Sequence, residues 1–244
     1  RRGLSVYENI PELEIKKLGI KALLIAVKPQ IVECPSLVLM AGKGTRMKSI
    51  DETKKPYLRI DKSTLFQICT KNFRSIKTNL YALNGDDEDK KRSHLFKESE
   101  TVNVGQTISS VETLYASIVQ SNLSNDDDLL VLPCDAAIDL DWKKFLLAIR
   151  KIKKCEAIIF SFSGYPYARW TPNQYGWLEL NEDKSIKNIG YKKGWDLNYK
   201  NPIITGHFWF SNIGKLKENL KKFLNSSTKD YRDSSIDEFC AYLI

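Results

Sequence analysis

Histidine is almost missing from this chain. Its 244 residues hold two, His94 and His207, and neither has a metal-ligating neighbour in sequence, so a histidine-built metal centre is not expected. Cysteine is sparse as well: Cys34, Cys69, Cys134, Cys155 and Cys240 lie far apart and form no CxxC pair. That spacing argues against a zinc ribbon or a disulfide framework. It suits reduced core thiols in an intracellular protein, which sets the expectation of a cytoplasmic location. No apolar run approaches the roughly 20 residues of a membrane-spanning helix. The chain has no internal repeat and no low-complexity tract. Its opening, "RRGLSVYENIPEL", has neither an initiator Met nor a signal-peptide pattern, so a segment of something longer is expected. Acidic residues are outnumbered, 30 against 38 basic ones, for a net charge of +8. The surplus suits phosphates or polyanions, but much of the lysine is scattered over helical faces, and charge alone makes a weak argument for nucleic acid.

What is present is enough apolar residue, 42% of the chain, to bury one large α/β domain. Short apolar runs at 21–27, 35–41, 78–84, 128–135 and 155–162 read as buried strands. Between them, 63–76, 109–123 and 140–152 show helical spacing. This alternation predicts a mostly parallel, Rossmann-like, doubly wound sheet. Beyond 163 the texture changes. "YGWLELNEDKSIKNIGYKK" reads as a hairpin turning at Glu182–Lys184, "PIITGHFWFSN" as an aromatic strand and "GKLKENLKKFL" as a lysine-rich helix. The C-terminal half therefore adds antiparallel pieces that could wall in one side of a site. Residues 1–34 read as an upstream extension, and 35–244 as the functional domain.

Ligands of such sheets bind beyond the carboxyl ends of the strands, and both Gly42 and Asp135 fall at such ends. The stretch "LVLMAGKGTRMKSIDETKKPYLRI" (37–60) runs from a buried strand into a flexible, strongly basic loop. It is not a P-loop, because no glycine stands at the required upstream position, and Met47 breaks the dinucleotide fingerprint. What remains is Gly42–Lys43–Gly44–Thr45–Arg46 followed by Lys55–Pro56. Glycines let backbone amides approach a triphosphate, Arg46 can fork onto phosphate oxygens, and Lys55 offers a point charge aimed by Pro56.

This pattern resembles the sugar-1-phosphate nucleotidylyltransferases, whose signature is an apolar strand, G-x-G-T-R-[LM], then K-P. The resemblance continues in order through "TISSVETLYASI", "LLVLPCDAAI", the Tyr175–Gly176–Trp177 hairpin, "IITGHFWFSN" and "KDYRDSSIDEFCAYLI". It implies a nucleotide-diphospho-sugar transferase-like fold and transfer of a nucleotidyl group from an NTP to a sugar-1-phosphate, in nucleotide-sugar and polysaccharide biosynthesis. It implies nucleotide contacts from Ala41, Gly42, Gly44, Thr45, Arg46, Lys55 and Thr107. Arg46, Lys55 and Asp135 would be the catalytic set, with Mg²⁺ on Asp135. Lys192 (or Lys193), Gly176 and Thr205 would meet the sugar phosphate, and Asp233 would take the matching acidic position. Three departures stand out. Ser109 and Ser110 replace a common glycine, Gly194 replaces a proline, and no W-x-x-G-T-P-like stretch with a second metal-binding aspartate follows. The last of these leads to the expectation of a domain truncated at its C-terminus.

Several residues have bland readings. Asp126–Asp128 precedes a strand and reads as a solvated turn at the wrong end of the sheet. Tyr175–Gly176–Trp177 and Phe208–Trp209–Phe210 divide between packing and ligand platform. His207 reads as a polar wall or hydrogen-bond donor, and Lys54 as the alternative to Lys55. A metal-dependent glycosyltransferase, with Asp139-x-Asp141 as its acidic motif, and a non-catalytic nucleotide-binding domain are the competing functions. Partners are an NTP and a sugar-1-phosphate, without nucleic acid or membrane, and a homo-oligomer stays open.

Overall fold

A computed structural model describes residues 34–42, 53–71, 79–97, 100–149, 151–152, 155–164, 168, 170–191, 201–226 and 234–244. The expected strand at 21–27 and the end of the expected helix at 63–76 lie outside these residues. So do Gly44, Thr45, Arg46, Lys192, Lys193, Gly194 and Asp233.

The apolar run after Pro35 forms β1 (Ser36–Leu39). A small hairpin, β2 (Arg59–Ile60) and β3 (Ser63–Thr64), turns at Asp61 in the left-handed region (φ 56). It feeds α1 (Leu65–Cys69), where the Thr64 amide donates to Gln67 Oε1 at 3.0 Å. The helix expected from residue 63 thus starts two residues later, because Ser63 and Thr64 pair in the hairpin. β4 (Asn79–Leu83), α2 (Asp87–Lys91), β5 (Thr101–Asn103), α3 (Ser110–Gln120), β6 (Leu129–Pro133), α4 (Trp142–Ile149) and β7 (Ala157–Phe162) follow. The predicted hairpin is β8 (Gly176–Leu180) with β9 (Ile186–Tyr191), and its turn places Lys184 at φ 68. β10 (Ile203–Phe210), α5 (Ile213–Asn225) and α6 (Ile236–Tyr242) close the chain.

The main sheet runs β5-β4-β1-β6-β10-β8-β9, with β7 on the other side of β10. β5, β4, β1 and β6 are parallel, and β10 pairs antiparallel with β6, β7 and β8. The fold is α/β with a mostly parallel sheet and antiparallel additions. β7, which sequence spacing placed in the parallel alternation, is separated from β6 by β10. Alternation along the strands divides the core into two faces. Leu37, Leu129, Val131, Phe208 and Phe210 face α3, α5 and α6 through Leu114, Ile118, Leu220, Phe223 and Phe239. On the opposite face α4 packs Trp142 and Phe145 on Phe160, with ring centroids 5.3 and 5.0 Å apart. The lysine-rich helix α5 is amphipathic, with Lys215, Lys221 and Lys222 exposed and Leu216, Leu220 and Phe223 buried. No described helix is long and apolar enough to cross a membrane.

Candidate active site

β1 and β6 are neighbours in parallel register, Leu39 beside Pro133, so their carboxyl ends coincide. Gly42 and Asp135 lie just beyond that edge. Ala41 is buried and Gly42 exposed, and a Cβ built on Gly42 would meet no described atom within 4 Å.

Lys55 reaches this edge from a single 3-10 turn, Lys55–Tyr57. Its ammonium forms an ion pair with Asp135, and both side chains are partly exposed, 39% and 32%. The pair stands at the mouth of a cavity of about 980 Å³ whose other walls include Ile138, Phe160, Phe162, Tyr175, Ile203 and Thr205. Two expected site residues, Asp135 and Thr205, and the expected catalytic lysine are thus brought to one cavity.

The cavity exists because β10 changes partner there. Its register with β7 shifts between Ile204 and Phe208, so 208–210 pair with β6 while Ile203 pairs with β8. Gly206 sits in this irregularity at φ +83, a conformation that favours glycine, with Pro133 only 3.5 Å from where a Cβ would be. The Thr205 hydroxyl donates to Phe160 O (3.0 Å), and His207 Nδ1 lies 3.1 Å from the Thr205 hydroxyl oxygen. Thr205 therefore fixes the strand irregularity as well as lining the cavity. His207 is fully buried, and burial lowers its pKa to about 4, against the opposing pull of the Thr205 backbone contact and of Asp135. It is neutral at pH 7 and lies behind the cavity lining, which it touches through Thr205.

Thr107 lies before α3. Thr113 donates its hydroxyl to Ser109 O, so the Thr107 hydroxyl is the donor in their 2.6 Å contact. Ser109, one of the departures from the glycine pattern, caps α3 by accepting from Glu112 N at 3.1 Å. Ser110 donates to Ser234 O at 3.4 Å, tying α3 to the approach to α6. Gly176 opens β8, and a Cβ there would overlap the Asp237 carboxylate and crowd Ile204. Asp237, on α6, is a carboxylate that the sequence reading passed over, and only its place three residues after Ser234 in an acidic helix start signalled it.

The two adjacent lysines divide sharply. Lys54 is buried, and its ammonium donates to Asp89 (3.0 Å), Asn84 Oδ1 (3.0 Å) and, as an ion pair, Asp86 (2.6 Å). It faces away from the cavity, which removes it as the alternative to Lys55. Asp126 and Asp127 are exposed, but Asp128 is buried and accepts from Trp209 Nε1 at 3.1 Å, so the expected solvated turn is corrected at that residue. Trp177 is packed against Ala168 and Ile203 with its Nε1 on Pro172 O (3.0 Å), while Tyr175 faces the cavity. Phe208, Trp209 and Phe210 are all core. Asp141 accepts from Lys144 N at 3.1 Å as the cap of α4, which gives it a structural role.

Burial, then the Asp135 charge, raises the Cys134 pKa to about 12 and that of Cys69 to about 11, so both thiols stay protonated beside the pair. Among the described residues no group of three His, Cys, Asp or Glu side chains could hold a metal ion. Asp135 is the one carboxylate among the described residues lining the cavity, and Mg²⁺ commonly binds one or two carboxylates and completes its shell with phosphate oxygens and water.

Comparison with known proteins gives two findings. The family described as MobA-like NTP transferase domain matches residues 36–229. Among solved structures, the inositol-1-phosphate CTP transferase from T. maritima superposes with a TM-score of 0.61 at 15% identity, over 86% of this chain and 81% of that one. Comparison with curated protein sequences gives no match.

Proposed function

The chain belongs to the MobA-like NTP transferase family, and on that premise we propose that it transfers a nucleotidyl group from an NTP to a sugar-1-phosphate. The observation that carries the reading is the Lys55–Asp135 pair at the mouth of a large cavity, where the carboxyl ends of β1 and β6 meet.

An acceptor phosphate oxygen attacks the α-phosphorus, the bond to the leaving phosphate breaks, and its electron pair departs with pyrophosphate. A phosphate monoester is already a nucleophile at neutral pH, so no general base is required, and the buried neutral His207 is under no demand to act as one. The residues are left with positioning and neutralising charge. Lys55 supplies a fixed cation at the reacting phosphates. Gly42, Gly44, Thr45 and Arg46 are assigned to the phosphates that leave, and Thr107 to the base. Lys192, Gly176 and Thr205 mark the acceptor side, and the aromatic and aliphatic far wall accommodates the acceptor's body. Asp135 would hold Mg²⁺, which when bound neutralises the α-phosphate.

The test is incubation with Mg²⁺, each of four NTPs and a panel of sugar-1-phosphates, with pyrophosphate detection. Pyrophosphate that requires one NTP and one acceptor is expected. Release of a nucleoside diphosphate from an NDP-sugar would instead identify a glycosyltransferase, and NTP affinity without pyrophosphate would identify a binding domain.

A further inference from the structure

Lysine is a compact charge on a flexible four-carbon stem, so where its ammonium stands depends on how firmly its backbone is held. On either side of Lys55 the neighbouring side chains are held by one carboxylate. Asp89, buried at 3% exposure, accepts four hydrogen bonds. Its Oδ1 takes Lys54 Nζ (3.0 Å) and Tyr57 Oη (2.7 Å). Its Oδ2 takes the amides of Asn84 (3.1 Å) and Gly85 (3.0 Å), at the carboxyl end of β4. Lys54 and Tyr57 flank Lys55–Pro56, so a single side chain ties both sides of the reactive turn to the sheet. The Lys54 amide adds a bond to Glu88 Oε2 at 3.0 Å. The same neighbourhood reaches the carboxyl end of β1, since Asn84 Nδ2 donates to Ala41 O at 3.5 Å.

We propose that Asp89 is a positioning residue of this active site. By holding Lys54 and Tyr57 it fixes the backbone from which Lys55 reaches Asp135 and the reacting phosphates. The catalytic consequence rests on the nucleotidyl-transfer reading, whereas the positioning itself does not. All four contacts are donors to Asp89, so asparagine cannot replace it. Whichever way the amide is turned, its NH₂ would face two donors. Burial and the bond to Asp89 keep the Tyr57 hydroxyl protonated far above its usual range, so it remains a donor at all working pH values.

The test is a double-mutant cycle with Tyr57→Phe and Asp89→Asn, each alone and combined with Lys55→Ala, reading melting temperature, NTP affinity and kcat. Tyr57→Phe removes one hydroxyl and is expected to fold. It should lower kcat about tenfold while NTP affinity stays nearly constant, as a small misplacement of a catalytic group does. In the Lys55→Ala background it should have no further effect, because the group it positions is gone. The same fold-loss with and without Lys55, or an unchanged kcat, would overturn the proposal. If Asp89→Asn fails to fold, Tyr57→Phe alone decides. If the wild type forms no pyrophosphate with any acceptor, the transfer reading fails, and positioning is read by NMR of ¹³C-methylated lysines. The Lys55 signal, assigned by its loss in Lys55→Arg, should move toward that of an exposed lysine in Tyr57→Phe. An unmoved signal would overturn the positioning claim.

Discussion

The two ends of β6 carry the same residue type in opposite circumstances. At its amino end Asp128 is buried and accepts a bond from Trp209, a strand neighbour in the core. At its carboxyl end Asp135 faces a cavity and pairs with Lys55, a residue from a turn far away in sequence. Strand polarity makes the difference. In a parallel sheet the carboxyl edge is where connections diverge and leave room for a ligand. Here β10 widens the opening by exchanging β6 for β8 at Gly206. In an acidic cluster of better composition, 126–128, it is Asp128 that holds structure, while the single aspartate at the other end is the one we propose for the chemistry.

The largest expected effect is at the carboxyl end. Lys55→Ala should lower pyrophosphate formation by about two to three orders of magnitude with little change in melting temperature, the usual loss for one preorganised charge. A variant keeping more than half of the wild-type rate would remove Lys55 from the chemistry. The amino end should respond in the opposite sense. Asp128→Ala leaves the buried Trp209 N–H without its acceptor and should cost about 1–3 kcal/mol in denaturant unfolding, with kcat unchanged. Lost turnover at full stability would break the contrast.

An effect seen only on acidification concerns His207, two residues before Trp209 on β10. Its folded pKa, about 4, lies below the ordinary 6.5, so between those values the unfolded chain binds more protons than the folded one. Stability should fall as pH drops from about 6.5 to 4, by about 2–3 kcal/mol in total, and His207→Gln should flatten that slope. Equal slopes in both proteins would show that other groups set the acid limb.

Much of this arrangement was legible in the residues. Apolar run length located β1, β4, β6 and β7, and the break in texture after 163 announced the antiparallel half. Residue order placed Gly42 and Asp135 at strand ends. Three things were not legible. β5 is three residues of mixed polarity, too short for periodicity to register. The order of β10 between β6 and β7 is a long-range pairing with no local signal. Lys54 and Lys55 are identical in type and adjacent, and only the acidic stretch 84–89 folding back behind them decides which one is buried. The serines at 109 and 110 departed from a glycine pattern, and the helix cap at Ser109 and the tie from Ser110 to Ser234 give each a structural role.

The central claim, that Asp135 serves chemistry and not the fold, is tested most directly by Asp135→Asn, with melting temperature, pyrophosphate release and NTP affinity with and without Mg²⁺ measured on one preparation. Asparagine is nearly isosteric and would preserve a turn or cap, but it lacks the charge that pairs with Lys55 and would hold a cation. The account predicts wild-type stability, lost pyrophosphate release, and NTP affinity that no longer responds to Mg²⁺. A large drop in melting temperature with residual activity, or a Mg²⁺ response equal to wild type, would contradict it.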